Sequence, residues 1–306
     1  MQNSKILFKG IMPALLTPID ENEKLIRPSV KKLMDYEYKG GVHGFYVGGA
    51  TGEGPVLPAK TRMDLCEAAM EANEGRGKII LHVGGPNFSD VKELVCHATK
   101  AGVDGISAMA PNAYFPHTDR ELIDYYKRIA SLTDKPLMVY VTPLMLGNNL
   151  EPVFEELLAV DNIIGLKFTL SDFYRLSLLK MINGGNVNII NGPDEMLLSG
   201  LAMGADGGIG STYNLMAPWY INLYNKFTSG DIDGARKQQY EINKVIRVLI
   251  TFGGGVAAIK NLKAAMQLKG VEMGNCAFPA AVYTDAERAE LKRLLIEAGA
   301  DMSPIA

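Results

Sequence analysis

Eight short apolar runs, each rich in Val, Ile or aromatic residues and bounded by Gly or Pro, recur along this chain of 306 residues. They begin at Ile11, His43, Lys78, Gly105, Pro136, Ile163, Val187 and Gly207, which are about 28 residues apart on average. One strand, one helix and two connecting loops need about that length. The repeat therefore predicts eight strand–helix units and a parallel sheet.

Eight is the number of parallel strands that closes an α/β barrel, so we expect a (β/α)8 TIM barrel. The segments between the runs have helical spacing and recognisable helix starts. Thr118 and Glu121 have the spacing of a capping box, and so do Thr284 and Glu287 before the last helical segment. Both patterns mark the start of a helix, the first between two of the runs and the second near the end of the chain.

The chain continues beyond the eighth unit with helical patterns alone. These patterns cover residues 231–250, 256–269 and 284–298. No linker rich in Ser and Pro separates them from the preceding units. We therefore assign residues 1–228 to the barrel and residues 229–306 to a C-terminal helical extension.

The composition argues against several classes of protein. A hydrophobic fraction of 47% is typical of a globular chain, and a net charge of −3 without a Lys/Arg cluster argues against nucleic-acid binding. Three distant cysteines fit neither a disulfide framework nor a zinc site, and no run has the uniform apolar character of a membrane span. We expect a cytoplasmic protein that binds neither nucleic acid nor membrane, and whose partner is a small molecule.

Alternation along the fifth and sixth runs indicates which side chains face the barrel interior. In the sixth run, Ile164 and Leu166 belong to a continuous apolar face that we expect to meet the outer helices. Lys167 and Thr169 then point inward near the carboxyl end of the strand. The fifth run directs Tyr140 inward at the matching level. An amine and a phenol are therefore expected together at the end of the barrel where active sites form.

A lysine in that place needs an explanation, because burying an unpaired ammonium is costly. Burial ordinarily lowers the pKa of an amine, and a neutral amine attacks carbonyl carbons to form a Schiff base. The alternative is a lysine whose stem follows the barrel wall while its head reaches water. The phenol of Tyr140, a positioned proton carrier, leaves the two interpretations of Lys167 evenly balanced.

Two further regions are expected at the mouth of the barrel. Residues 48–53, after the second strand, are rich in glycine and could turn backbone N–H groups toward a small anion, although the same residues suit an ordinary tight turn. After the seventh strand, Asp194 and Glu195 could accept hydrogen bonds from a polyol or could cap the following helix. The four histidines lack the spacing of metal ligands, so we expect no metal site.

Three segments together resemble hallmark segments of the N-acetylneuraminate lyase / dihydrodipicolinate synthase family of pyruvate-handling class I aldolases. The segments are residues 44–53, 165–169 and 204–214. The similarity extends from about Gly10 to the last helices. It is nearest to the N-acetylneuraminate lyase branch.

The resemblance implies an imine between Lys167 and the keto carbon of pyruvate or another 2-keto acid, with Tyr140 as proton relay and with no metal or cofactor. It places the substrate carboxylate on the backbone amides of Ala50 and Thr51. The polyhydroxy tail of a sugar acid would be bound by Thr169, Gly192, Asp194, Glu195, Gly210 and Ser211. Because the family typically forms tetramers, we expect a homotetramer.

Departures from the family pattern bear on the substrate. Ala50 stands where the lyase branch usually has Ser, so a hydroxyl near the carboxylate is missing while the backbone N–H remains. Val141 stands where the family has Asn. The Tyr that the family places two residues after Pro111 is Ala113 here, and Tyr114 follows one step later. A relay through that position is therefore an open question.

The leading hypothesis is reversible aldol cleavage of a 2-keto sugar acid, with N-acetylneuraminate as the first choice, to pyruvate and an N-acetylated amino sugar. Leu144 and Met145 follow Pro143, where the synthase branch has an Arg for its aldehyde substrate, and this argues against the synthase reaction. The nearest alternative is another 2-keto acid aldolase or a dehydratase of the same family. The alternative from a different class is a non-catalytic barrel that binds a keto acid.

Overall fold

The computed structural model describes residues 4–111, 115–145, 147–254, 258–277 and 279–305. All eight predicted strands are confirmed, and each overlaps the apolar run that predicted it. They are β1 (Gly10–Pro13), β2 (Gly44–Val47), β3 (Lys78–His82), β4 (Gly105–Met109), β5 (Leu137–Val141), β6 (Ile163–Phe168), β7 (Asn188–Asn191) and β8 (Gly207–Gly210).

The strands form one parallel sheet that closes on itself. Neighbouring strands are hydrogen-bonded in the order β1-β8-β7-β6-β5-β4-β3-β2. The ring closes where β1 meets β2, because the Leu15 N–H donates to the Tyr46 carbonyl and the His43 N–H to the Ile11 carbonyl, each at 2.9 Å. The predicted (β/α)8 TIM barrel is therefore confirmed.

Helices alternate with the strands, and further helices follow the eighth unit. In the described part of the chain they are α1 (Arg27–Lys39), α2 (Ala59–Asn73), α3 (Phe88–Ala101), α4 (Asp119–Ala130), α5 (Leu150–Leu157), α6 (Phe173–Met181), α7 (Leu197–Ala202), α8 (Tyr213–Thr228), α9 (Ile232–Thr251), α10 (Ala258–Leu268) and α11 (Asp285–Glu297). Both predicted capping boxes are present, with Thr118 at the start of α4 and Thr284 at the start of α11. None of these described helices has both the length and the apolar character needed to cross a membrane.

Two apolar layers lie on opposite sides of the strands. The first fills the barrel with side chains from successive strands, among them Phe8, Met12, Tyr46, Ile80, Met138, Tyr140, Ile164, Ile190 and Ile209. The second lies between the strands and the helices and takes alternate side chains, such as Val139 and Leu166. Because the interior is packed with side chains, a ligand has room only at an end of the barrel.

The alternation predicted for the sixth strand is wrong at one residue. Ile164 packs with the interior layer, whereas Ile163 packs with the outer layer. The register between β5 and β6 shifts at this point, so that Gly165 and not Ile164 lies opposite Met138. Such a β-bulge adds one residue to one strand and interrupts the alternation. Beyond it the alternation resumes, and Lys167 faces inward as predicted.

The C-terminal extension lies against the mouth of the barrel. On α9, the Gln239 amide donates to the carbonyl of Asp194 at 3.2 Å, and the Asn243 amide donates to the carbonyl of Glu195 at 3.2 Å. Gln239 also accepts a hydrogen bond from the Leu198 N–H at 3.1 Å. These contacts join α9 to the segment that follows β7, so the extension can contribute to a site at this end.

Candidate active site

Lys167 and Tyr140 meet at the carboxyl end of the barrel. They are directly opposite each other in the register of β5 and β6, as the alternation predicted. The Lys167 amine lies 4.1 Å from the centre of the Tyr140 ring, and 4% of the residue is exposed. A nucleophile and the ring of a residue that can carry a proton are therefore held side by side in a buried space.

The amine of Lys167 has aromatic rather than acidic neighbours. Its nitrogen lies 4.6 Å from the centre of the Tyr46 ring, in addition to the Tyr140 ring. In the part of the chain that the structure describes, no carboxylate forms an ion pair with it. The Lys167 nitrogen is therefore not held in a salt bridge by any described residue, so it can approach the carbonyl carbon of a ligand.

Tyr46 and His82 complete the floor of this site, and sequence analysis did not assign either to it. The Tyr46 hydroxyl donates to Ser107 Oγ at 3.0 Å, and the His82 and Tyr140 rings meet edge to face at 6.1 Å. His82 Nε2 accepts from the Met109 N–H at 3.1 Å. Burial, with smaller effects of nearby cations, lowers the pKa of His82 well below its usual range. His82 is therefore a neutral packing residue. Alternation along β2 indicates that Tyr46 faces inward, but no sequence signal places it beside Lys167.

The glycine-rich loop, residues 48–53, lies directly above the carboxyl end of β2. Ala50 is exposed and Thr51 is buried. The Thr51 hydroxyl donates to Ser211 Oγ at 3.0 Å, which joins this loop to the end of β8 across the barrel mouth. Among the described residues, no acceptor is bonded to the backbone N–H of Ala50 or Thr51. Both amides are therefore free to bind an anion at this edge of the site.

A cavity of about 470 Å³ opens above this end of the barrel. Its polar wall comes from the loops after β6, β7 and β8, and includes Thr169, Ser171, Asp172, Gly192, Asp194, Glu195, Ser211 and Thr212. Its apolar wall includes Leu170 and side chains of the C-terminal extension, namely Ile246, Ile250, Ala258 and Leu262. Thr169, Gly192, Asp194, Glu195 and Ser211 were expected at this site, whereas Ser171, Asp172, Thr212 and the side chains of α9 and α10 were not.

Thr169 and Gly192 lie against each other in the polar wall. The Thr169 hydroxyl is buried and has no hydrogen-bond partner among the described residues. A Cβ atom at position 192 would collide with that hydroxyl, so only glycine leaves this part of the wall open. An unpaired buried hydroxyl beside a cavity is available to a ligand.

Asp194 is engaged with the protein through one of its oxygens. Its Oδ2 accepts both the backbone N–H and the hydroxyl of Thr212, each at 2.7 Å, at the start of α8. A Cβ atom at Gly210 would collide with the other oxygen, Oδ1. Burial raises the pKa of Asp194 to about 6. Asp194 therefore stabilises the start of α8 rather than the helix that directly follows it, while the exposed Glu195 beside it lines the cavity.

Two further sequence-based expectations concern the displaced family tyrosine and the absence of a metal site. Ala113 and Tyr114, the two candidates for the displaced family tyrosine, lie outside the described residues. Within the described residues, no cluster of three or more His, Cys, Asp or Glu side chains could hold a metal ion.

A larger groove, of about 790 Å³, lies outside the barrel along α1, where Asp35 pairs with Lys31 and Arg76. Lys31 in this groove is exposed and paired with Asp35, in contrast to the buried Lys167, so the barrel mouth is the candidate active site.

Comparisons with known proteins show the family and the fold of the chain. The model of the dihydrodipicolinate synthetase family matches residues 7–298. An N-acetylneuraminate lyase of Rhizobium meliloti (strain 1021) is 35% identical over 285 residues, which cover 93% of each chain. An N-acetylneuraminate lyase of Escherichia coli (strain K12 / DH10B) is 37% identical over 248 residues, covering 80% of this chain and 83% of that one.

Solved structures show the same likeness. The N-acetylneuraminate lyase of Proteus mirabilis superposes with a TM-score of 0.88 at 29% identity, covering 97% of this chain and 99% of that chain. CdNal of Clostridium difficile, solved in complex with mannosamine, superposes with a TM-score of 0.89 at 30% identity, covering 95% of this chain and 99% of that chain. The likeness thus extends over nearly the whole length of both structures.

Proposed function

Since this chain belongs to the dihydrodipicolinate synthetase family, we propose that it is a carbon–carbon lyase that forms an imine at Lys167 and cleaves a 2-keto sugar acid, N-acetylneuraminate first among them. One observation carries the proposal above all others. The Lys167 amine is buried at the carboxyl end of β6, 4.1 Å from the centre of the Tyr140 ring. The names of the relatives and of the superposed structures support the same substrate.

The reaction begins when the neutral amine of Lys167 attacks the C2 keto carbon of the substrate. Proton transfers then release the former keto oxygen as water, and a protonated imine remains. The substrate carboxylate is held by the N–H groups of Ala50 and Thr51, which orients C2 toward the amine. No metal or added cofactor is needed, because the iminium itself is the electron acceptor.

Cleavage follows removal of the proton from the C4 hydroxyl. The C4 hydroxyl proton passes to the Tyr140 oxygen while the phenol's own proton passes to the substrate carboxylate, because a neutral phenol can take up one proton only by releasing another. The same proton is later returned along this relay to C3. The C4 oxygen becomes an aldehyde, the C3–C4 bond breaks, and its electron pair moves into the iminium to give an enamine. Protonation at C3 and attack by water then release pyruvate and restore the Lys167 amine.

The cavity has the size and polarity of a site for the tail of a sugar acid. Thr169, Glu195 and Ser211 supply hydroxyl and carboxylate groups on one wall, and Gly192 and Gly210 keep that wall open. The apolar wall opposite can receive the methyl group of an N-acetyl substituent. A larger keto acid with hydroxyl groups along its tail therefore suits the cavity better than pyruvate alone.

The assembly and location of the chain belong to the same proposal. We expect a homotetramer, which would cover some of the exposed apolar side chains on the outer helices, such as Tyr174, Met181 and Tyr240. The cysteines are free thiols, as suits the reducing cytoplasm. We place the boundary between barrel and extension between residues 228 and 229. Light scattering coupled to size exclusion measures the subunit count, and a monomer at micromolar concentration would contradict the tetramer.

Trapping of the imine tests the chemistry. The protein is treated with borohydride in the presence of pyruvate, and its peptides are then analysed by mass spectrometry. A reduced pyruvyl adduct is expected on Lys167, and it should be absent when pyruvate is omitted or when Lys167 is replaced by Met. An unmodified Lys167 in the treated wild-type protein would refute the proposal.

A panel of substrates tests the specificity. Release of pyruvate is followed with N-acetylneuraminate and with other 2-keto acids. Cleavage of N-acetylneuraminate is expected to be fastest. Ala50 lacks the hydroxyl that the lyase branch usually has, and this motivates the second candidate, another 2-keto acid aldolase or dehydratase. An imine without cleavage of N-acetylneuraminate would favour that candidate, and an intact binder without any turnover would favour the non-catalytic barrel.

A further inference from the structure

An ion pair joins the glycine-rich loop after β2 to the C-terminal extension. Lys263 Nζ, on α10, lies 2.9 Å from Oε1 of Glu53, the last residue of that loop. Both side chains are inside the protein, since 2% of the Lys263 side chain and 10% of the Glu53 side chain are exposed. The two residues are 210 positions apart in the chain, so no local pattern indicates their pairing.

Each partner is also bonded to the segment that follows α10. Lys263 Nζ donates a second hydrogen bond to the carbonyl of Asn275 at 2.6 Å. The other carboxylate oxygen of Glu53 accepts from the Ala277 N–H at 2.7 Å. A buried ion pair stabilises a fold only where such additional hydrogen bonds satisfy the remaining polar groups. The pair is therefore the centre of a four-residue contact that fixes one end of the loop.

The conformation of the loop depends on this end. Glu53 has a φ of 58°, a left-handed conformation that residues other than glycine adopt only when their surroundings hold them there. In this conformation the Glu53 N–H donates to the carbonyl of Ala50 at 3.0 Å, which closes the turn that contains Ala50 and Thr51. The orientation of those two backbone amides is thus tied to where the Glu53 side chain is anchored.

We infer that Glu53 and Lys263 are positioning residues, whose ion pair holds the amides of Ala50 and Thr51 in the orientation that binds the carboxylate of the keto acid. The inference rests on the proposed function, which assigns those amides to the carboxylate. The charged atoms of both side chains are bonded to each other and to the segment after α10, so both act through the loop and not on the substrate. The C-terminal extension then serves the reaction through α10 as well as through the apolar wall.

A direct electrostatic effect of Glu53 and Lys263 on the bound carboxylate would give different mutant phenotypes from positioning of the loop. Glu53 carries a negative charge close to an anion-binding loop, so its removal would strengthen carboxylate binding if only its field mattered. Removal of the positive charge of Lys263 would weaken binding by the same reasoning. Positioning predicts that both removals weaken binding, because each destroys the same contact. The sign of the effect of removing Glu53 therefore separates the two explanations.

Three variants and one control test the inference: Glu53→Gln, Lys263→Met, the double variant, and Lys269→Met. The main measurement is the pyruvate concentration that gives half-maximal borohydride trapping on Lys167. Thermal unfolding and hydrogen exchange of the loop amides are measured beside it. Lys269 is a matched control, because it is also a buried lysine, but its amine donates to main-chain carbonyls of the C-terminal tail at 2.7 and 3.0 Å.

Both single variants are expected to raise the half-maximal pyruvate concentration about tenfold or more, with the maximal extent of trapping unchanged and with faster exchange of the loop amides. The double variant is expected to regain thermal stability, because neither charge is left buried without its partner, and yet to keep the raised concentration. Lys269→Met is expected to lower thermal stability without changing the half-maximal concentration.

Several results would overturn the inference. One is a half-maximal pyruvate concentration that is unchanged in both single variants, and another is a shift of that concentration in opposite directions in Glu53→Gln and Lys263→Met. A third is a double variant that recovers both its thermal stability and the wild-type half-maximal concentration. A wild-type protein that forms no adduct would instead refute the proposed function. In that case hydrogen exchange still tests whether the Glu53–Lys263 ion pair holds the loop. Unchanged exchange of the loop amides in both single variants would show that it does not.

Discussion

Replacing Asp194 by Asn should remove a decrease in the free energy of unfolding that the wild-type protein shows as the pH rises. The carboxylate is buried beside the cavity, and burial raises its pKa from the ordinary value of 3.8 to about 6. Between those two values the folded state holds a proton that the unfolded state has lost. The free energy of unfolding of the wild-type protein therefore falls as the pH rises through this window, and it does not recover above it.

The size of the effect follows from the two pKa values. Each pKa unit between the folded and unfolded states corresponds to about 1.4 kcal/mol, so the ionised carboxylate lowers the free energy of unfolding by about 3 kcal/mol. Most of this is lost between pH 4 and pH 7. In Asp194→Asn the side-chain carbonyl can still accept both hydrogen bonds of Thr212, while the titration disappears. The variant should therefore gain about 2 kcal/mol on the wild type between pH 4 and pH 7.

The assay is chemical denaturation of wild type, Asp194→Asn and Asp194→Ala at pH 4, 5, 6 and 7. Asp194→Ala is the control for lost hydrogen bonds, because it removes the titration and also leaves the Thr212 N–H without its acceptor. It should show the same change of slope but lie about 1–3 kcal/mol below Asp194→Asn at every pH. A stability difference between wild type and Asp194→Asn that is the same at pH 4 and pH 7 would refute the reasoning.

Three further predictions concern other parts of the chain. Both carboxylate oxygens of Glu37 are buried without a partner among the described residues, and burial raises its pKa well above the usual range. Glu37→Met is therefore expected to raise the free energy of unfolding by about 1–3 kcal/mol at pH 8 and by less at pH 4, and an equal gain at both would contradict this. Thr284→Ala removes the side-chain acceptor of the Glu287 N–H and is expected to lower the free energy of unfolding by about 1 kcal/mol, whereas an unchanged denaturation midpoint would show that the cap of α11 is dispensable. Gly192→Ala places a methyl group against the Thr169 hydroxyl. The KM for the sugar acid should therefore rise about tenfold, while borohydride trapping with pyruvate stays unchanged. Loss of sugar-acid cleavage together with loss of pyruvate trapping would mean that the variant disturbs the imine site.

Strand positions could be predicted because strands of a parallel barrel are apolar on both faces and are bounded by Gly and Pro. The same patterns predicted that Lys167 and Tyr140 face inward near the carboxyl ends of their strands, because alternation and strand ends are local properties of the chain. The prediction for Ile164 is wrong because a β-bulge is set by how β6 pairs with β5, and the apolar run itself does not record that pairing.

The contributions to the site from distant segments could not be predicted. Tyr46 lies beside the Lys167 amine because β2 and β6 face each other across a closed ring, and no spacing along the chain indicates that. The dual interpretation of Asp194, as ligand group or as helix cap, also needed coordinates, because its partner Thr212 is 18 residues away at the start of a different helix.

Composition, periodicity and capping patterns thus decided the number of strands, the places of most helices and the inward direction of Lys167. These follow from interactions between residues a few positions apart, which any short stretch of the chain contains. The folded ring decided which loops meet, as in the bond between Thr51 and Ser211 across 160 positions, or the pairing of Glu53 with Lys263. Such contacts arise only when closure of the barrel brings the carboxyl ends of its strands to one mouth and the last helices fold back over it.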